Sequence, residues 1–406
     1  MKYLLIVADG AADYPLESLG GKTPLQAASM QTLERISPHS RMGQLVTVPE
    51  DMPPGSEIAN LSLLGYDVHE VYQGRGVLEA ASMGVDLHPG ELAMRCNLIC
   101  IGDDHLIRNH SAGHIPTEEA RVLIEDLNRE FSCSEYRWHA GVSYRHLFVL
   151  AGGSDRIACT PPHDVPGTCY RDVLVQASDS SGSETAALLN RLIESSREFL
   201  AHHRINRTRI KEGKDPANAL WFWSPGYRPS MKTFQELYGK TGAVISAVDL
   251  IFGIGRYAGL DAVKVPGATG LYDTNYEGKA HAAIEALRRY DFVLIHVEAS
   301  DEAGHEGDVQ LKVRTLEYLD RRLLRHVYAA AAAMNEPVRI ALLPDHPTPC
   351  ELRTHVHDPV PVMIYTPGEQ GDGIARYDEY AAAHGSLGLM RGDEFIKKLF
   401  SIDAAH

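Results

Sequence analysis

The sequence predicts an α/β protein: a largely parallel sheet core with a smaller α+β domain inserted into it. Three observations carry this. The runs Tyr3–Ala8, Tyr290–Val297 and Val338–Leu343 are nearly continuous apolar strands, and each breaks into acids or histidines. Strands apolar on both faces belong to parallel sheets covered by helices on either side. Helical patterns at 279–289 and 310–335 flank two of these strands, as βαβ units require. The middle of the chain has a different texture, with short strand-like runs (92–100, 144–150), Pro- and Gly-rich loops and one polar helical stretch at 183–203. At 406 residues the chain is too long for one ordinary domain. The expected boundaries are a discontinuous core of 1–75 and 227–406 and an insert of 76–226.

Taken in order, the first strand ends at Asp9-Gly10, where glycine permits close backbone approach. Pro53-Pro54-Gly55-Ser56 is a rigid turn that opens a helix-like run, and Ser56 sits where helix N–H groups favour an anion. A plain N-cap serine fits the same position. After the strand at 290–297, Asp301 and His305 stand four residues apart, so one helical turn puts both on one face, able to grip a cation. A helix-start acid beside a surface histidine is the alternative. The strand at 338–343 delivers Asp345-His346, which Pro347 and Pro349 keep from extending further. Nine residues on, His355 and His357 precede a proline-fixed turn. Chemistry in such sheets gathers beyond the carboxyl ends of the strands, where these residues fall. Carboxylates and imidazoles without thiolates favour Mn²⁺ or Zn²⁺. The donors outnumber what one ion needs, so two divalent ions are expected, an arrangement suited to phosphoryl chemistry.

Composition narrows the function. A net charge of −15, with 54 acids against 39 bases, argues against a general nucleic-acid or anionic-membrane binder. It leaves room for a phosphorylated small molecule, because bound cations reverse the field inside a cleft. The six cysteines form no CxxC pair and read as buried small hydrophobes or free thiols. The N-terminus does not read as a signal peptide, and no apolar stretch approaches ~20 residues. A soluble, cytoplasmic protein is expected. Gly253-Ile-Gly255-Arg-Tyr-Ala258 fits a loose dinucleotide fingerprint, but alone that pattern is a weak signal.

The order Asp9-Gly10, then GSxxANLSLLGYD over 55–67, DxAGH over 301–305, PDH over 344–346 and HxxDPVP over 355–361 resembles the cofactor-independent phosphoglycerate mutases of the archaeal type, members of the alkaline phosphatase superfamily. The likeness runs over essentially the whole chain, including 109–119, 266–279 and 296–308. It implies an alkaline-phosphatase-like core with an inserted transferase domain. Asp9, Ser56, Asp345 and His346 would ligate one metal, and Asp301, His305 and His355 the other. Ser56 would be the nucleophile and pass through a phosphoserine. His355 is preferred to His357 because the family's ligand stands four residues before the first proline of the PVP turn. The implied activity interconverts 2- and 3-phosphoglycerate without bisphosphoglycerate or a nucleotide cofactor. In the insert, His110 is the best substrate-binding candidate. Arg145 offers a bidentate fork for carboxylate or phosphate, and Arg228 and Lys279 are weaker phosphate candidates that solvated surface roles explain equally well. Asn109 stands where many archaeal-type mutases carry an acid, and the NHSAGHI form resembles a bacterial branch proposed to phosphorylate homoserine. A homoserine-kinase-like phosphotransferase and a phosphoester hydrolase are therefore carried as alternatives. The sequence carries no signal of oligomeric state.

Overall fold

The computed structural model describes residues 1–401. Chain contacts divide it into two compact units: Met1–Tyr72 with the chain from Met231 onward, and Gln73–Ser230.

The first unit is built on an eight-stranded sheet: β1 (Lys2–Ala8), β2 (Ser40–Val46), β3 (Gly242–Ser246), β4 (Asp261–Lys264), β5 (Phe292–Val297), β6 (Val338–Leu343), β7 (Val360–Tyr365) and β8 (Gly388–Arg391). Their spatial order is β4-β3-β5-β1-β6-β7-β2-β8. β7 pairs antiparallel with both neighbours, and every other pairing is parallel. β5, β1 and β6, the three runs that end in polar residues, are thus adjacent at the centre. Their registers, Ala8 opposite Val297 and Val7 opposite Leu343, bring the three carboxyl ends level.

Helices cover both faces, which is why β5 and β6 are buried along their whole length. Five helices position or brace the polar strand ends: α1 (Ser56–Leu63), α2 (Asp249–Tyr257), α3 (Tyr276–Leu287), α4 (Ala299–Glu306) and α5 (Val309–Tyr318). α3 buries Tyr276, Ala280, Ala283 and Leu287, the four-then-three spacing of one helix face, against Val293 and Ile295 of β5. The segment expected as a single helix over 310–335 differs. α5 runs into a π-helical stretch, Leu319–Leu324, before a last α-helix, Arg325–Ala332. That wider turn carries Asp320 inward, where its carboxylate accepts from the amides of Thr32 (3.0 Å) and Leu33 (2.8 Å). The glycines of the loose dinucleotide pattern lie inside α2, not at a strand-to-helix turn. A Cβ on Gly255 would stand 2.6 Å from Val244 Cγ1, so close helix–sheet packing accounts for that glycine.

The second unit is α+β. Its long strand Glu91–Ile101 pairs antiparallel with Arg145–Ala151, Ala219–Tyr227 and Ile107–Asn109, and Tyr136–His139 extends the sheet. Thr117–Phe131 buries Ala120, Leu123, Ile124 and Leu127, and Ser183–Ala201 buries Leu189, Leu192, Ile193 and Leu200, in one core with Phe148, Trp221 and Phe222. Among the described residues no helix is long and apolar enough to cross a membrane.

Candidate metal centre and nucleophile

The carboxyl ends of β1, β5 and β6, with α1 and the 346–358 loop, gather three carboxylates, three imidazoles and a hydroxyl. Asp9, Asp301, Asp345 and His346 are buried. Asp9, Asp345 and His346 offer donor atoms all within 4.8 Å of one another, and so do Asp301, His346 and His355. His305 joins the second set: its Nε2 lies 3.2 Å from Asp301 Oδ2 and 2.9 Å from His355 Nε2.

Backbone and side-chain groups orient several of these ligands. Asp345 Oδ1 accepts from Gly10 N (3.2 Å) and His346 N (2.9 Å), and Oδ2 accepts from Asn60 Nδ2 (2.9 Å). The Nδ1 of His305 faces the Arg353 carbonyl (3.1 Å), and that of His355 faces the Pro54 carbonyl (3.3 Å). A carbonyl oxygen only accepts, so Nδ1 carries the proton in both rings and both Nε2 atoms turn inward. His346 is oriented in the same sense, with Nδ1 3.2 Å from Thr348 Oγ1 and Nε2 3.1 Å from Ser56 Oγ.

Two Nε2 atoms 2.9 Å apart, both with Nδ1 protonated, repel unless a proton or a cation sits between them. Asp9 Oδ1 is buried without a hydrogen-bond partner. The electrostatics say the same. Burial, then the charges of Asp345 and Asp301, pushes Asp9 well above the usual carboxylate range. Burial also works upward on Asp301, but hydrogen bonds to His305 and His355 outweigh it and hold that carboxyl well below. The hydrogen bond to Asp301 raises His305 to about 9. These donors are short of positive charge, and divalent cations fit them.

Ser56 opens α1 as its first helical residue. Gly55 takes the N-cap position, so the plain capping role is absent and the hydroxyl is directed at His346. Asn60, one turn later, ties the Ser56 carbonyl (2.9 Å) to Asp345, coupling the nucleophile's helix to a ligand. His357 faces elsewhere: its Nε2 lies 2.8 Å from the Met52 carbonyl.

Two polar residues here, buried His296 and half-buried Glu298, were not singled out from the sequence. His296, inside β5, lies 3.1 Å from Asp9 Oδ2, and burial lowers its pKa to about 4. Burial, then Glu302 and Asp301, raises Glu298 to about 8. A histidine within an apolar strand, two residues before an acid, was the available signal.

The substrate-binding candidates fall differently. Lys279 is not a solvated surface cation. It is fully buried on α3, with Nζ donating to the His296 carbonyl (2.9 Å), and burial lowers it to about 8. Burial rules out the solvated surface role, and the ammonium stands beside the cluster, near Glu298. Asn109, His110, Arg145 and Arg228 belong to the second unit. His110 is half-buried, edge-on to Tyr144 and His163, and burial lowers its pKa. Asn109 spends its amide on the loop itself: Nδ2 donates to Asp215 (3.0 Å), and Oδ1 accepts from Ser111 N (2.9 Å) and Oγ (2.8 Å). It braces the turn that carries His110. Arg145 and Arg228 are exposed.

Known proteins resemble this chain over nearly its whole length. Residues 38–206 match the family model described as 2,3-bisphosphoglycerate-independent phosphoglycerate mutase. A protein of that name from Methanosarcina acetivorans is 48% identical over 406 residues, covering 99% of this chain and 100% of its own length. Another, from Methanothermobacter thermautotrophicus, is 48% identical over 398 residues, covering 98% of this chain and 96% of its own. Among solved structures, a Pyrococcus horikoshii protein has a TM-score of 0.84 at 30% identity, covering 100% of this chain and 98% of its own. The cofactor-independent phosphoglycerate mutase of Thermoplasma acidophilum has a TM-score of 0.70 at 30% identity over 100% of both chains.

Proposed function

This chain belongs to the 2,3-bisphosphoglycerate-independent phosphoglycerate mutase family, and on that premise we propose that it interconverts 2- and 3-phosphoglycerate through a phosphoserine at Ser56. The observation that carries the reading is the Ser56 hydroxyl, 3.1 Å from His346 Nε2, at the edge of a buried carboxylate–imidazole cluster.

Asp9, Asp345, His346 and Ser56 would hold one divalent cation, and Asp301, His305 and His355 the other. Their oxygen and imidazole donors suit Mn²⁺ or Zn²⁺. When bound, such ions ease deprotonation of a hydroxyl and neutralise charge on a transferring phosphoryl group. The chain's own residues do the rest. The Ser56 hydroxyl gives up its proton, Oγ bonds to phosphorus, and the glycerate oxygen–phosphorus bond breaks, that oxygen taking up a proton. The other hydroxyl of the same glycerate then loses its proton and attacks the phosphoserine, the Oγ–phosphorus bond breaks, and Ser56 Oγ takes a proton back. Asn60 keeps the Ser56 helix in place through both transfers. His110 and Arg145, with Arg228 as a further candidate, are assigned to the substrate's non-reacting charges, and Asn109 to bracing the loop of His110. The homoserine-kinase-like reading has only the NHSAGHI form in its favour, against relatives at 48% identity that carry the mutase name.

The test is an enolase-coupled assay on Mn²⁺-loaded protein given 3-phosphoglycerate and no bisphosphoglycerate. Turnover is expected, and Ser56→Ala should lower it by at least ~10³-fold with the fold intact. Absent turnover, with ATP-dependent phosphorylation of homoserine instead, would overturn the assignment, and retained turnover in Ser56→Ala would remove the nucleophile.

A further inference from the structure

Three of the segments that carry the ligand candidates meet on one buried ammonium. Lys312, on α5, is fully buried. Its Nζ donates to the Thr348 carbonyl (2.8 Å), the Ala12 carbonyl (3.2 Å) and Asp13 Oδ2 (2.9 Å), which uses all three of its hydrogens. Asp13 Oδ2 also accepts from Cys350 N (3.1 Å), and Thr348 N donates to the Ala12 carbonyl (3.2 Å). Each partner stands close in sequence to a ligand. Ala12 and Asp13 follow Asp9-Gly10 on the loop leaving β1, and Thr348 and Cys350 follow Asp345-His346 on the loop leaving β6. Lys312 itself is on the helix directly after α4, which bears Asp301 and His305. From this knot Thr348 reaches ligands of both sets: its hydroxyl donates to Asp301 Oδ1 (2.5 Å) and lies 3.2 Å from His346 Nδ1.

Stability alone does not call for this arrangement. A buried Lys–Asp pair loses its hydration, and well-packed apolar residues in its place are often as stable or more so. An apolar pair cannot hold two carbonyls from different loops at fixed distances. Such holding serves this site, because donor atoms from the loops after β1 and β6 and from α4 must stand within 4.8 Å of one another in each set.

We propose that Lys312 is a positioning residue: it clamps the loops after β1 and β6 to α5, so that the donor cluster is assembled before any cation binds. The inference rests on the two-cation reading of the donor cluster. It makes Asp13 and Thr348 parts of the same device, one as the counter-charge and the other as the link to Asp301 and His346.

The experiment titrates metal-free full-length protein with Mn²⁺ alone, by calorimetry, in the wild type, Lys312→Met and the charge-balanced Lys312→Met/Asp13→Leu. The wild type is expected to bind, and the folded double variant to lose roughly 10–100-fold in affinity, the range for residues that orient metal ligands. A folded double variant that binds within about two-fold of the wild type would overturn the inference, because Lys312 would then only neutralise Asp13. A wild type that takes up no Mn²⁺ would overturn the cation reading and this inference together. Should the variants not fold, hydrogen exchange on the wild type decides. Protection of the Thr348 and Cys350 amides in the metal-free protein is expected, and protection that appears only after Mn²⁺ is added would overturn the clamp.

Discussion

Gly10→Ala is the sharpest probe of how the strand end is built. Gly10 has φ +61°, and a Cβ there would stand 2.5 Å from Asp301 Oδ1, 2.7 Å from Asp301 Cα and 2.7 Å from Thr348 Oγ1. The left-handed backbone alone costs an alanine about 1–2 kcal/mol. The contact with Asp301 Cα cannot be relieved by rotating a side chain, so the start of α4 must shift, at a further cost of about 1–3 kcal/mol for overpacking. A sum of roughly 2–5 kcal/mol on a unit of this size lowers its melting temperature by roughly 5–15 °C. Gly20→Ala supplies the control. Gly20 has φ +66° with nothing within 4 Å of the added carbon, so it carries the backbone cost without the collision. Thermal unfolding of both variants, followed by Mn²⁺ titration, separates the two terms. Gly10→Ala should melt lower than Gly20→Ala and bind Mn²⁺ at least ~10-fold more weakly, because Asp301 is displaced. If the two variants lose equal stability and Gly10→Ala binds Mn²⁺ like the wild type, the strand end does not depend on this close approach.

His355→Gln should weaken Mn²⁺ binding by at least ~10-fold, whereas His357→Gln, whose ring faces the Met52 carbonyl, should leave it within about two-fold; equal losses would refute the distinction. Glu379 supplies a pH test. Its carboxylate accepts from Thr23 Oγ1 (2.7 Å) and Asp13 N (3.0 Å), and burial, with Asp378 nearby, raises it to about 7 from its ordinary 4.5. Between those two values the folded chain keeps a proton that the unfolded chain has released, so Glu379 lowers stability as pH rises through the window and has no further effect above it. Glu379→Gln should therefore gain about 2–3 kcal/mol over the wild type on going from pH 5 to pH 8, read from denaturant midpoints; a constant difference between the two proteins would refute the shift.

Local pattern made much of this molecule legible. Apolar runs specify β1, β5 and β6 because a strand buried on both faces must be apolar at every position. The donors follow those runs directly, so short motifs sufficed to nominate Asp9, Asp301, Asp345 and the histidines. Interior polar residues were harder. Lys279 was carried as a weak phosphate candidate with a solvated surface role equally open, because nothing local marks a lysine whose ammonium finds a carbonyl on a neighbouring strand. Asn109 was singled out because it stands where the resembling family often carries an acid; that its amide bonds Ser111 and Asp215, the latter 106 residues away, was not legible locally. The π-helical stretch escaped notice for a similar reason, since Asp320 turns inward to reach amides 288 and 287 residues distant.

Sequence alone therefore settles the type of each donor and the strand that delivers it, because steric and hydrophobic preferences act over a few neighbouring residues. Folding settles the assembly. It sets β1 between β5 and β6, brings the Ser56 hydroxyl to a histidine 290 residues away, and gathers two loops and a helix around the Lys312 ammonium. Such contacts join segments far apart in the chain, and a buried hydrogen bond leaves no periodicity behind in the residues that make it.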